Sequence, residues 1–405
     1  MGSLKVGPDY IDPAYHTAAT GAPCRNFDLW AMRKETLQAQ CRAAADNADL
    51  IVAEGVMGLF DGAATGDKKD TGSTADAAAW LNWPVVLVVD SGGQGTSAAA
   101  LVQGFASFRD DVEIGGVIFN RIGGPAHEEI LLNALESISV PCFGCISRHE
   151  DLALESRHLG LVQAREKAEL DRWLDVAAGR VTESLDLDRL TDLARPEAIP
   201  EGAPTETLPS FAQHIAIARD EAFAFCYNHI LDGWQQDGVT LSFFSPLADE
   251  GPSYQAGGVY LPGGYPELHG NRLSANGNFL NGLRQAQARE AVIYGECGGF
   301  MVMGDTLTDK EGVSHAMAGL LPVATSFAEP KLHLGYRDLT LLADGPLGKR
   351  GQKFSGHEFH YSSLTQMAGG ASLFEVGNSK GEEMPAMGCR LDNAIGSFAH
   401  LIDSR

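Results

Sequence analysis

Cys297 sits between an apolar run, Ala291 to Tyr294, and a second one, Phe300 to Met303, with Gly295 before it and Gly298 and Gly299 after it. Strand, sharp turn and helix, with a reactive side chain at the turn, is the layout of a nucleophile elbow. The glycines let the backbone turn without steric cost, and a helix N-terminus behind the thiol favours its thiolate. The competing reading is a buried apolar cysteine, the usual fate of a free thiol; glycines crowding it on both sides favour the nucleophile. Such a thiol needs a base, most often histidine. His357 and His360 in SGHEFHYS and His400 in AIGSFAHLID are the candidates, and His400, after an apolar stretch suited to a strand end, is preferred. The aromatic neighbours of His357 and His360 point to a strand, so zinc is a poor reading of that pair. Gly263 and Gly264 follow the apolar GGVYL, where they can turn N–H groups toward an oxyanion, although a plain turn would look the same.

A second set of residues lies in the first half. Lys5 and Val6 finish a strand that Gly7 and Pro8 break, and Asp9, Tyr10 and Asp12 follow in a tight loop. Glu54 directly follows the apolar DLIVA, with Asp61 seven residues on. A carboxylate just past a buried strand suits Mg²⁺, which takes one or two carboxylates together with substrate phosphates. Turn chemistry competes at each of these positions, because Asp beside Gly and Pro is common in loops. Asn120 and Arg121 end a further apolar strand. Ligand contacts in α/β folds gather at strand C-terminal ends, so these residues are expected to share one crevice.

The elements that must position them alternate. Strands are expected at 49–53, 84–90, 113–120 and 139–144, with helices at 36–47 and from 70–80, the latter capped by Ser73 or Thr74. Continuous apolar strands alternating with helices mean a doubly wound parallel sheet. Charge-rich helical sequence at 161–193 leads to a proline-rich linker at 194–213. A new α/β domain opens at His214 with a strand, a helix at 221–236 and another strand. The expected domains are therefore 1–193 and 214–405. A length of 405 residues fits two domains. The net charge of −23 argues against a nucleic-acid or anionic-membrane surface. No apolar window is long enough to span a bilayer, the N-terminus is not a signal peptide, and the seven scattered cysteines suit reduced thiols in a cytoplasm. Cys142 and Cys145 form a CxxC without a second pair, which makes a metal site there unlikely.

In chain order, KVGPDYIDPAYH, CRNFDLW, AEGVMGLFDG, GSTADAAAWL, PVVLVVD, GVIFNR, SRHLGL, LPGGYPELH, YGECGGFMVMG, LGYR and GHEFHYS resemble the cobyrinic (or hydrogenobyrinic) acid a,c-diamide synthases, glutamine-dependent amidating enzymes of cobalamin biosynthesis. The resemblance implies a dethiobiotin-synthetase-like ligase domain joined to a flavodoxin-like class I glutamine amidotransferase domain. It implies that Cys297 attacks the amide of glutamine with help from His400, with Gly263 and Gly264 near the oxyanion. The ammonia released would displace phosphate from an acyl phosphate made with ATP, once at each of two acetate side chains of a corrinoid. Glu54 matches the Mg²⁺ acid, Asp9, Tyr10, Asp12 and Asp61 the surroundings of nucleotide and substrate, and Asn120 the position facing adenine. The partners implied are small molecules, with a homodimer allowed.

Two departures stand out. The family carries a strand and a GxxxxGK[ST] loop ahead of KVGPDYIDP, and no such motif occurs in these 405 residues; the expectation is a truncated first domain. The glutamate that often follows the histidine by two residues is replaced by Ile402, with Asp403 a candidate substitute. Alternative readings are a related amidase, such as cobyric acid synthase or the nickel-sirohydrochlorin enzyme, and a glutaminase or regulatory corrinoid-binding protein without ligase activity.

Overall fold

The computed structural model describes residues 1–46, 48–65, 71–154, 156–157, 160–195 and 208–405. Much of the expected linker, 196–207, lies outside them, as do Asn47 and Asp70 at the edges of two expected helices. Strand β1 (Gly2–Val6) lies between β2 (Arg25–Phe27) and β3 (Ile51–Glu54), all parallel. Strands β4 (Val85–Asp90), β5 (Ile114–Ile122) and β6 (Cys142–Ser147) form a second parallel sheet in that order. The parallel strands and helical crossovers match the expectation, but they make two three-stranded sheets instead of one. Among the described residues β3 and β4 each leave an edge unpaired. Val52 and Val88, mid-strand, are 45% and 64% exposed, where a doubly covered sheet would bury them. The last strand, expected at 139–144, starts three residues later. The helix Thr74–Leu81 opens on a capping box: Ser73 Oγ accepts from Asp76 N–H, and the Asp76 carboxylate accepts from Ser73 N–H.

The second half is built on a six-stranded sheet in the order Thr240–Phe244, His214–Ala218, Gly258–Leu261, Val292–Glu296, Ala394–Ser397 and Cys389–Leu391. Only the last of these strands runs antiparallel to its neighbour. The helix expected at 221–236 begins only at Asn228. The residues before it are held as a loop by Asp220, which accepts from Ala222 N–H, Leu247 N–H and the Ser245 hydroxyl, and by a bridge between Phe225 and Gly263. A five-stranded antiparallel sheet stands alongside, and its edge strand, His400–Ser404, pairs with Lys353–His360 so that His400 lies opposite His357.

The two halves share one apolar core, in which Val6, Trp30 and Leu37 meet Tyr227, Leu339 and Ile402. Polar contacts cross the same seam. Asp403, fully buried, accepts from Arg33 N–H at 2.8 Å, Arg33 Nη2 at 2.8 Å and the Thr36 hydroxyl at 2.7 Å. Tyr336 donates to Asp28 at 2.9 Å while its ring stacks on Trp30 at 4.4 Å. Among the described residues no helix is long and apolar enough to cross a membrane.

Candidate active site

The strand Val292–Glu296 ends at Cys297, whose φ of 47° and ψ of −104° lie where non-glycine residues are rare. Its N–H donates to Ser397 O at 2.8 Å and its carbonyl accepts from Met301 N–H at 3.0 Å, opening the helix Gly298–Met303. The turn demands glycine because neighbouring backbone is so close. A Cβ on Gly299 would lie 1.9 Å from the Leu261 carbonyl oxygen, and one on Gly298 3.0 Å from Gly264 N. A Cβ on Gly263 would lie 2.3 Å from His400 Cε1, so the imidazole packs directly on that backbone. The Gly264 N–H has no acceptor among the described residues. The four residues singled out in the second half, Cys297, His400, Gly263 and Gly264, therefore converge at one end of the central sheet.

Electrostatics alter one expectation. Burial raises the Cys297 thiol, and the charges of Glu267 and Glu358 push the same way, against the lowering by the Gly298 N–H at the start of the helix. Burial, with His357 and His360 nearby, brings His400 down to about 3. Both shifts favour the neutral forms of thiol and imidazole, and no hydrogen bond joins Cys297 to His400. Such contacts often close only in the substrate complex.

His357 and His360 take other places. His360 stacks on Phe398 at 4.0 Å and bonds Glu358 at 2.8 Å, while the other carboxylate oxygen of Glu358 takes Arg337 at 2.7 Å. Among the described residues, His333, Glu358 and His360 are the group of three whose metal-ligating atoms converge, all within 4.8 Å. The guanidinium on the same carboxylate opposes a second cation there. Asp403, the candidate substitute for the missing glutamate, is committed to Arg33 and Thr36 across the domain seam. Glu296, one residue before Cys297, was not singled out by sequence, yet its carboxylate lies 3.7 Å from His400 Nδ1. The signal was there in Tyr294 and Glu296, two apart on a strand and so on one face.

In the first half Lys5, almost fully buried, gathers three carboxylates: Asp12 at 2.6 Å, Glu54 at 3.3 Å and Asp9 at 3.8 Å. Burial works against its charge, but the bond from Asp12 and the charge of Glu54 prevail and raise it. His16 bonds Glu54 at 2.5 Å. Burial would raise Glu54 too, yet His16 and Lys5 outweigh it and hold the carboxyl below its ordinary range. Asp9 is pushed up to about 6 by burial and by Asp12 beside it. Lys5 and His16 were not singled out as site residues; a buried lysine among acids shows only in three dimensions. Asp61 lies apart, closing a turn by accepting from Gly58 N–H at 3.0 Å. Asn120 lies near the C-terminal end of β5 in the other sheet, accepting from Arg121 N–H at 2.8 Å beside the Arg121–Asp90 ion pair. The single crevice expected from the strand ends is thus divided between the two sheets. Tyr10 lies on the domain seam, stacked on Tyr227 at 4.4 Å and 5.1 Å from the ring of His400.

An elbow cysteine, a histidine and an open amide on a mostly parallel sheet, packed against a second α/β unit with a carboxylate cluster, describe an amidotransferase joined to a nucleotide-binding domain. The family models agree: residues 214–405 match the CobB/CobQ-like glutamine amidotransferase domain and residues 15–156 an AAA domain. The hydrogenobyrinate a,c-diamide synthase of Brucella anthropi is 49% identical over 405 residues, covering 100% of this chain and 91% of its own. Those of a Sinorhizobium species and Mesorhizobium japonicum are 47% and 44% identical, each over 98% of this chain and 91% and 90% of their own. The chain belongs to the hydrogenobyrinate a,c-diamide synthase family.

Proposed function

We propose that this protein converts the a and c acetate carboxylates of hydrogenobyrinic acid into amides, with glutamine as nitrogen donor and ATP as activating co-substrate. The observation that carries the reading is the Cys297 elbow with the His400 ring against Gly263. Cys297 Sγ attacks the amide carbon of glutamine as its proton passes to His400, and the Gly264 N–H faces the oxygen that becomes charged. The proton then goes to the departing ammonia, and water releases glutamate from the thioester. A carboxylate is a poor electrophile; phosphorylation turns its oxygen into a leaving group that ammonia displaces.

The Lys5 cluster suits the charged end of that chemistry. Asp9, Asp12 and Glu54 outnumber the single buried lysine, and burial together with Asp12 raises the Asp9 carboxyl, a cost that a divalent cation would relieve. Mg²⁺ fits these oxygen donors and, when bound, neutralises phosphate oxygens. The ligand atoms of the three carboxylates do not converge into a closed protein site, as expected for an ion that shares its shell with phosphates and water. The reading makes this a cytoplasmic enzyme of small molecules.

The test combines the chain with glutamine, ATP, Mg²⁺ and hydrogenobyrinic acid, following glutamate release and corrinoid mass. Cys297→Ala is expected to lose at least about 10³-fold in glutamate release. Undiminished release in that variant refutes the nucleophile, and release without any corrinoid amide refutes the substrate.

A further inference from the structure

The glutaminase reading leaves His400 without the carboxylate that usually orients such a histidine, since Ile402 stands where it is expected and Asp403 is bound elsewhere. We propose that Glu296 is that carboxylate, a positioning residue that holds the His400 ring and balances its charge when it takes the Cys297 proton. The proposal rests on the amidotransferase reading of Cys297 and His400.

Three observations carry it. Glu296 is 1% exposed, and its Oε2 lies 3.7 Å from His400 Nδ1, a buried ring nitrogen with no hydrogen-bond partner. The carboxylate is a built site. Tyr260 donates to Oε2 at 2.7 Å, Tyr294 donates to Oε1, and Leu401 N–H, from the residue after His400, donates to Oε1 at 3.0 Å. Tyr260 and Tyr294 are register partners on adjacent parallel strands, which brings their hydroxyls to one carboxylate. Finally, every donor it holds among the described residues is neutral: two phenol hydroxyls and a backbone N–H. Tyr10, Tyr227 and Cys226 also face it, and burial raises their hydroxyls and thiol, so they stay neutral beside it. A buried carboxylate held only by neutral donors is costly without a counter-charge. The imidazolium formed at His400 during turnover provides one.

His400 is faced from the neighbouring sheet by His357 and His360, which disfavour its charged form, and by Glu358, which favours it. Glu358 is engaged by the cation of Arg337 and by His360, whereas Glu296 is held only by neutral donors and its Oε2 lies 3.7 Å from Nδ1. The arrangement has the logic of a nucleophile, base and orienting acid, with the acid moved from the position after the histidine to the one before the cysteine. Burial pushes the Glu296 carboxyl up to about 7, so its counter-charge is present above neutrality and lost below it.

The experiment compares the full-length wild type with Glu296→Gln, Glu296→Asp and Asp403→Asn. It measures glutaminase kcat and KM against pH and, separately, the pH dependence of Cys297 alkylation by iodoacetamide, read on its peptide by mass spectrometry. Alkylation follows the same proton transfer without glutamine turnover, so failure of the amidotransferase reading and failure of this one are distinguished. Glu296→Gln is expected to lose about 10²-fold or more in kcat with KM little changed. Its acid limb near pH 7 should disappear, in turnover and in alkylation alike. Glu296→Asp should restore the limb, and Asp403→Asn should leave it in place. A Glu296→Gln profile superimposable on the wild type, or a limb that moves with Asp403→Asn, overturns the proposal.

Discussion

Replacing Gly263 by alanine tests the packing of the site with one methyl group. The added Cβ lands 2.3 Å from His400 Cε1, 3.1 Å from Nε2 and 3.3 Å from Nδ1. Carbon atoms in ordinary contact stand about 3.5 Å or more apart, so the ring must retreat by roughly 1 Å. It has little room. Its backbone is registered to His357, Tyr10 packs on the ring, and the Leu401 N–H that follows it is bound to Glu296. A misplacement of about 1 Å in a catalytic group costs on the order of 10²-fold in rate, and overpacking costs about 1–3 kcal/mol in stability. Gly263→Ala should therefore fold, with a lowered denaturation midpoint, and release glutamate from glutamine about 10²-fold more slowly. Gly257→Ala is the control, since its Cβ meets only the Ala212 methyl at 3.5 Å, an ordinary contact. Glutamate release by Gly263→Ala within threefold of wild type would mean that His400 does not work from this position.

Two further outcomes concern stability. Arg33→Ala removes the cation from fully buried Asp403 but leaves it the backbone N–H of residue 33 and the Thr36 hydroxyl, so a loss of about 2–3 kcal/mol is expected in urea unfolding; a change below about 0.5 kcal/mol would show that the seam does not depend on this pair. At Asp76, burial pulls the carboxyl upward, but the Arg109 bond and donors at Thr71 and Ser73 outweigh it and hold it down to about 2. A carboxyl depressed below its unfolded value stabilises the fold above about pH 4 and loses that effect as pH falls toward 2. Asp76→Asn should cost about 1–2 kcal/mol at pH 7, allowing for solvent screening at partly exposed Arg109, and almost nothing at pH 2; a penalty independent of pH would rule out the ion pair as its source.

Much of the candidate site was readable because its residues stand out through local chemistry. Cys297 is conspicuous through the glycines that its turn requires, and Gly263 and Gly264 through the strand they follow. The parallel sheets are readable from apolar runs of strand length, and the helix after Ser73 from its capping residues. Element edges were less so. The helix expected from 221 starts at Asn228 because Asp220, far along the chain from Ser245 and Leu247, spends its carboxylate on them.

What the sequence by itself determined is the set of reactive groups and the local turns that present them, because backbone sterics and periodicity act over a few residues. What only the tertiary structure decided is which groups meet. Asp403, near His400 in sequence, is drawn away by Arg33 and Thr36 from the other half of the protein. Glu296, more than a hundred positions before His400, lies beside it. Lys5 collects carboxylates from the segment after β1 and from the end of β3, and Tyr10 leaves its acidic neighbours to pack on His400. The physical reason is shared: burial makes an unpaired charge or polar atom expensive, so partners are chosen by proximity in the packed core, and sequence separation has no part in that choice.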